Sequence, residues 1–262
     1  MAAACSRRQR LAWCAAFLGA AWWLALPAAA DDIVVMTSGA FTAPFQDAAP
    51  WFERRTGHDV VAVFGASTGG APDSLPARLA RGERADIVIA SAQAIDALIA
   101  AGEVEPGSRR DLVLSRIGVA VRAGAPKPDI RSTDALKKTL LAAKSIGYST
   151  GPSGVYVTGL FQRLGVADEI KGRLKQTPTG VFVGSIIASG EAEIGFQQIS
   201  ELSHFAGVDY VGPLPADVQQ FTMFSSGIIV GAKDADGAKA LVKFITAPAA
   251  AAAFKNRGME PG

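Results

Sequence analysis

Three times in this sequence a short strand-forming run ends in a loop made mostly of small residues, chiefly Ser, Thr and Gly, and then gives way to a helical pattern. Ile33–Met36 runs into Thr37-Ser38-Gly39, Asp59–Phe64 into Gly65-Ala66-Ser67-Thr68-Gly69-Gly70, and Ser145–Tyr148 into Ser149-Thr150-Gly151-Pro152-Ser153-Gly154. Parallel neighbours cannot be joined by a tight turn, so strands alternating with helices imply a mainly parallel sheet covered by helices on both faces. In such α/β folds the ligand lies beyond the carboxyl ends of the strands, where helices begin.

The remaining pattern fits that frame. Helices are expected over Pro44–Arg55, Ser74–Arg81 and Gln93–Ala101, stopped by Gly57, Gly82 and Gly102, with a third strand over Asp86–Ala90. A second block begins near Ile117: a strand to Arg122, a helix over Ser132–Leu141 with Ser132 as N-cap, and a helix over Val155–Leu164. A helix over Gly180–Ser189, strands over Glu193–Gln197 and Tyr210–Pro213, an extended stretch over Phe221–Val230 and a helix over Ala235–Thr246 follow. The expected architecture is two α/β lobes, residues 31–115 plus 225–262 and residues 116–224. Two extended crossings join them, near Leu114–Ala120 and Phe221–Ile229. Trp51 and Phe52, late in the first helix, are expected in the core.

The first thirty residues read as a cleaved secretory signal. Arg7, Arg8 and Arg10 precede an uncharged apolar stretch, Leu11–Leu26, then Pro27 and Ala28-Ala29-Ala30. The stretch is shorter than the roughly 20 residues that span a bilayer. Cleavage before Asp31 removes Cys5 and Cys14 and leaves 23 basic against 24 acidic residues. The mature chain then has no thiol chemistry, and its balanced charge gives no footprint for nucleic acid.

Loops of small polar residues at helix starts make anion sites without a full positive charge. Unpaired N–H groups and the helix dipole attract the anion, glycines admit close approach, and hydroxyls add donors. None of the three loops has P-loop spacing. Enzyme signatures are lacking: the two histidines, His58 and His204, read as solvated, no Gly-x-Ser-x-Gly elbow is present, and no cluster has metal-ligand spacing. No cofactor is called for.

Five segments in order resemble the molybdate-binding proteins of ABC transporters, a branch of the two-lobed (type II) periplasmic binding proteins. They are Ile33–Phe41, Gly82-Glu83-Arg84-Ala85-Asp86, Pro152-Ser153-Gly154-Val155-Tyr156, Gly190-Glu191-Ala192-Glu193-Ile194-Gly195 and Phe254-Lys255-Asn256-Arg257-Gly258. The resemblance implies a monomeric periplasmic protein that closes on a small anion and presents it to an inner-membrane permease. Ser38, Gly39, Ser67 and Thr68 would serve from one lobe, and Ser153, Gly154, Tyr156 and Gln198 from the other. The departures fall in the loops. Ala40 stands where the family has its first contact serine, Gly69–Ser74 is inserted, Gln198 replaces a tyrosine and Ser153 an alanine. A longer, more polar cleft favours an organic di- or tricarboxylate over a tetrahedral oxyanion, with Arg78 placed to pair with a carboxylate. The alternatives are a molybdate or tungstate carrier, a ligand sensor for a membrane receptor, and an enzyme on the same fold. A deaminase of the hydroxymethylbilane type would need a cysteine for its cofactor.

Overall fold

The computed structural model describes residues 32–262, so the expected signal segment lies outside the described residues. Ten strands are formed: β1 Ile33–Ser38, β2 Val60–Gly65, β3 Ile87–Ser91, β4 Arg110–Arg122, β5 Ile146–Tyr148, β6 Leu174–Gln176, β7 Ile194–Gln198, β8 Val208–Pro213, β9 Phe221–Ile228 and β10 Met259–Pro261. Among the described residues ten α-helices accompany them: α1 Gly39–Thr56, α2 Leu75–Ala80, α3 Ala92–Ala100, α4 Thr133–Ala142, α5 Pro152–Arg163, α6 Ala167–Ile170, α7 Val183–Ala188, α8 Ile199–Leu202, α9 Ala235–Ile245 and α10 Pro248–Asn256.

The strand order is β2-β1-β3-β9-β4-β7-β5-β6, with β8 and β10 also paired to β4. Parallel pairs are confined to β2-β1-β3 and β6-β5-β7. Every pair made by β4 or β9 is antiparallel. The sheets are therefore more mixed than the alternation of strands and helices predicts. The cause is β4, which starts at Arg110 rather than Ile117. Its residues up to Arg116 pair with β9, and those from Ile117 onward pair with β7 and β8.

The buried side chains divide at the same strand. Leu112 and Val113 of β4 pack with Phe41, Phe45, Phe52, Phe224 and Phe254, while Ile117, Val119 and Val121 pack with Leu136, Phe161 and Phe196. Trp51, expected inside, is 55% exposed, whereas Phe52 is buried. No single helix among the described residues is long and apolar enough to cross a membrane.

Helix α1 begins at Gly39, five residues before the position read from the sequence, and continues through Pro44. Proline removes the N–H that would bond the carbonyl four residues back. That carbonyl, Ala40 O, instead accepts from the Ser200 hydroxyl of α8 at 2.8 Å, so the gap in the helix becomes a link between the two halves.

Asp86, from the segment Gly82–Asp86, is fully buried and accepts N–H bonds from Val34 on β1 and from Lys233 and Asp234 before α9. Burial pushes its pKa up, but those N–H donors and the Arg84 guanidinium outweigh burial and the net direction is down. Asp86→Ala leaves buried donors unpaired and is expected to cost on the order of 3 kcal/mol in urea unfolding. A depressed carboxylate stabilises at pH above its unfolded value and loses that contribution as pH falls through its folded one. Asp86→Asn is therefore expected to flatten the acid limb of the stability profile.

Candidate functional site

A cavity of about 240 Å³ lies between the halves, walled by loops at the carboxyl ends of β1, β2, β5 and β7 and by Pro178–Phe182. Helix starts in this chain differ in how their first N–H groups are satisfied. Ser74, Ser91, Ser132 and Asp234 cap α2, α3, α4 and α9 with their own side-chain oxygens. At the cavity, α1 follows Ser38 and α5 follows Gly151, with no side-chain cap on either. Two long helices thus leave donors free toward the same space.

The side chains complete a set of neutral donors and acceptors. Ser38 Oγ is buried and has no hydrogen-bond partner among the described residues. Ser153 Oγ lies 3.3 Å from Ser149 Oγ, which also accepts from Gly151 N. Ser67 lines the cavity while its hydroxyl accepts from Ser91 N at 3.4 Å. Gln198 lines it too; its Nε2 donates to Thr222 Oγ1 at 2.9 Å and its Oε1 is unpartnered. A flip of that amide would keep the Thr222 bond, since a hydroxyl can donate or accept, and would turn Nε2 to the cavity.

Four of the expected residues are placed elsewhere. Thr68 is exposed at the loop tip and does not line the cavity. Gly154 is buried in the first turn of α5, where a β-carbon would collide with the Ser149 carbonyl, so its role is close packing. The Tyr156 hydroxyl donates to Val218 O at 2.9 Å and its ring faces the Arg163 guanidinium, which ties α5 to the return segment. Arg78 pairs with Glu83 at 2.7 Å, five residues on, because the turn after α2 brings that carboxylate to the helix end. Its Nε donates to Asp73 O, so Arg78 holds the inserted loop.

The histidines also differ from expectation at one position. His58 stacks on Phe52 and lies 3.4 Å from the Asp234 carboxylate, rather than being solvated. His204 is exposed and bonds Ser203. Among the described residues no group of His, Cys, Asp and Glu is arranged to hold a metal ion.

Among the described residues no Lys, Arg or His lines the cavity; the ionisable side chains there are Asp73 and Glu201, neither singled out from the sequence. Asp73 sits in the insertion, and a β-carbon on Gly180 opposite would strike its carboxylate. Glu201, in the first turn of α8, comes so near Gly39 that a β-carbon there would lie 3.0 Å from Oε1. The Gln197 side chain and the Gln198 N–H both bond the Glu201 carboxyl. Since Gln197 Oε1 accepts from Val183 N at 2.8 Å, its Nε2 faces Glu201. Some surface of Glu201 stays open to the cleft, yet burial of the carboxyl outweighs those two bonds and pushes its pKa up to about 8. A lone Glu in a polar stretch carries no sequence signal for such a setting. Stability is expected to fall as pH rises from about 4.5 to about 8, by at most about 1.4 kcal/mol per pH unit, because only the folded state keeps the proton. Glu201→Gln should remove that slope in unfolding titrations.

Comparison with known proteins gives one consistent picture. Residues 33–260 match the model of the family described as bacterial extracellular solute-binding protein. The chain is 38% identical over 230 residues, 87% of each chain, to an aconitate isomerase from Pseudomonas sp.. It is 27% identical over 243 residues to the molybdate-binding protein ModA of Azotobacter vinelandii, covering 90% of this chain and 92% of that one. The solved periplasmic molybdate-binding protein of Azotobacter vinelandii superposes with a TM-score of 0.72 at 23% identity, over 88% of this chain and 99% of that one. L-phospholactate-bound PEB3 superposes with a TM-score of 0.69 at 15% identity, over 88% of this chain and all of that one. The fold is that of the periplasmic binding proteins, and the chain belongs to the bacterial extracellular solute-binding protein family, on its ModA-like branch.

Proposed function

We propose that this protein is exported to the periplasm and that its cleft closes on a small organic polycarboxylate of the aconitate class, for delivery to an inner-membrane permease. The observation that carries this is a cavity of about 240 Å³ with uncapped helix starts, an unpartnered Ser38 hydroxyl and no cationic side chain. Neutral donors at helix N-termini suit carboxylates, and the volume is ample for a small tricarboxylic acid. Ala40 in place of the family serine and the insertion Gly69–Ser74 weigh against a molybdate nest, and the 38% identical relative is named for aconitate. Residues 31–115 plus 225–262 and residues 116–224 are the rigid units, closing about β4 because only the closed form lets both sets of donors reach one ligand.

A second use of the same site is chemical conversion of the bound acid. The relative named as an isomerase favours it, and so do two carboxyl side chains in a cleft that would need none for binding alone.

Thermal shift of the mature protein with cis- and trans-aconitate and citrate, against molybdate, tungstate and sulfate, tests the ligand class. At about a hundredfold excess over Kd a ligand adds roughly 2.7 kcal/mol, a shift of several degrees for a chain of this size. The carboxylates are expected to give it; a shift with molybdate alone contradicts the proposal. Ser38→Ala and Ser153→Ala should each weaken carboxylate binding by about tenfold or more in calorimetry, as befits a lost hydrogen bond to a charged group.

A further inference from the structure

We propose that Glu201 and Asp73 form an acid–base pair that moves hydrogen between two carbons of a bound unsaturated polycarboxylate, so that the cleft interconverts double-bond isomers of its ligand. The assignment rests on the ligand class proposed above and names the residues that would act on it.

Three observations carry it. Asp73 and Glu201 are the ionisable side chains of the cavity wall, which otherwise offers neutral groups. Each reaches across the seam between the halves: Asp73, from the loop after β2, stands against Gly180, and Glu201, from α8, stands against Gly39. A closed cleft therefore places one carboxyl from each side around its contents. Their surroundings also differ. Glu201 is enclosed and held by Gln197 and Gln198, while Asp73 lies in a partly exposed loop steadied through its backbone by Arg78. Carboxyl pairs whose environments differ in this way divide into a proton donor and a proton acceptor. The raised pKa of Glu201, about 8, agrees with its being the donor at neutral pH.

The step balances within the site. The Asp73 carboxylate takes a proton from the methylene carbon next to a ligand carboxylate; that C–H bond breaks and an O–H bond forms. The C–H electron pair becomes a new double bond to the adjacent carbon, and the original π pair moves to the far carbon. The far carbon takes the Glu201 proton, forming a C–H bond and leaving Glu201 ionised. No oxidant or reductant is needed, and exchange of both carboxyls with water, or the reverse reaction, resets the pair. Charge that builds on the ligand carboxylate during proton removal faces the uncapped starts of α1 and α5, where fixed N–H dipoles stabilise it without rearrangement.

Proton NMR of the mature protein with trans-aconitate in deuterated water is the test, with binding followed separately by calorimetry. Wild type is expected to form the cis isomer with one solvent deuterium incorporated per turnover. Glu201→Gln and Asp73→Asn should each slow interconversion by at least about a hundredfold, the usual worth of a placed acid or base, while Kd changes by less than about tenfold. Both substitutions are isosteric, and a retained melting transition confirms folding. Tight binding with neither interconversion nor deuterium uptake in wild type overturns this assignment and leaves the ligand class standing. Either variant turning over within about threefold of wild type overturns the pair. Absence of aconitate binding overturns the ligand class, and the pair with it.

Discussion

Along Arg110–Arg122 one strand buries its first half in one hydrophobic core and its second half in another, and both sheets are hydrogen-bonded to it. Side chains on a strand alternate between faces, so a strand committed to two cores fixes the register of both sheets at once. β9 is bound antiparallel to the first half of β4 and follows directly on the segment returning from the second. The parallel units β2-β1-β3 and β6-β5-β7 hang on this pair, and their carboxyl ends face one another across the cavity. The proposed closure would bend or twist the middle of β4, and the Ser200–Ala40 hydrogen bond spans the two halves there.

On the proposed function, attraction for an anion would arise from backbone geometry more than from side-chain charge. Helices α2, α3, α4 and α9 are capped by Ser or Asp, while α1 and α5, which start at the cavity, have no side-chain cap on their first N–H groups. Such donors are already oriented and lose no side-chain entropy on binding. Of the two carboxyl side chains in the same space, Glu201 is kept protonated at neutral pH by its enclosure and so does not oppose an anionic ligand, whereas Asp73 lies in a partly exposed loop where solvent screens its charge. Arg78, the cation suggested by the sequence, is instead consumed by Glu83. A positive charge placed between the halves would have to be desolvated there.

Much of the architecture was legible in the sequence because it rests on local signals. The strand–loop–helix units, the glycine stops at Gly57, Gly82 and Gly102, and the family segments all fall on the elements they mark. Asp86 gives one of those segments a physical cause, since a single carboxylate ties β1 to the entry of α9. What stayed hidden depends on distant partners. The early start of α1 is masked by Pro44, and only Ser200, far along the chain, accounts for the carbonyl that proline frees. Ser38, Gly39, Ser67, Ser153 and Gln198 were readable as cleft residues because their loops are contiguous in sequence. Tyr156 and Arg78 were not readable as outliers, because their directions are set by Val218 and Glu83. Asp73 and Glu201 acquire meaning only when the two halves meet.

Proton linkage of binding tests most directly whether Glu201 faces a polyanion. Calorimetric titration with trans-aconitate at about pH 8, in two buffers of different ionisation enthalpy, reports protons gained or lost on binding. A bound polyanion raises the pKa of a neighbouring carboxyl further, so net proton uptake is predicted for wild type and none for Glu201→Gln. Binding enthalpies that do not depend on the buffer in wild type would contradict the account.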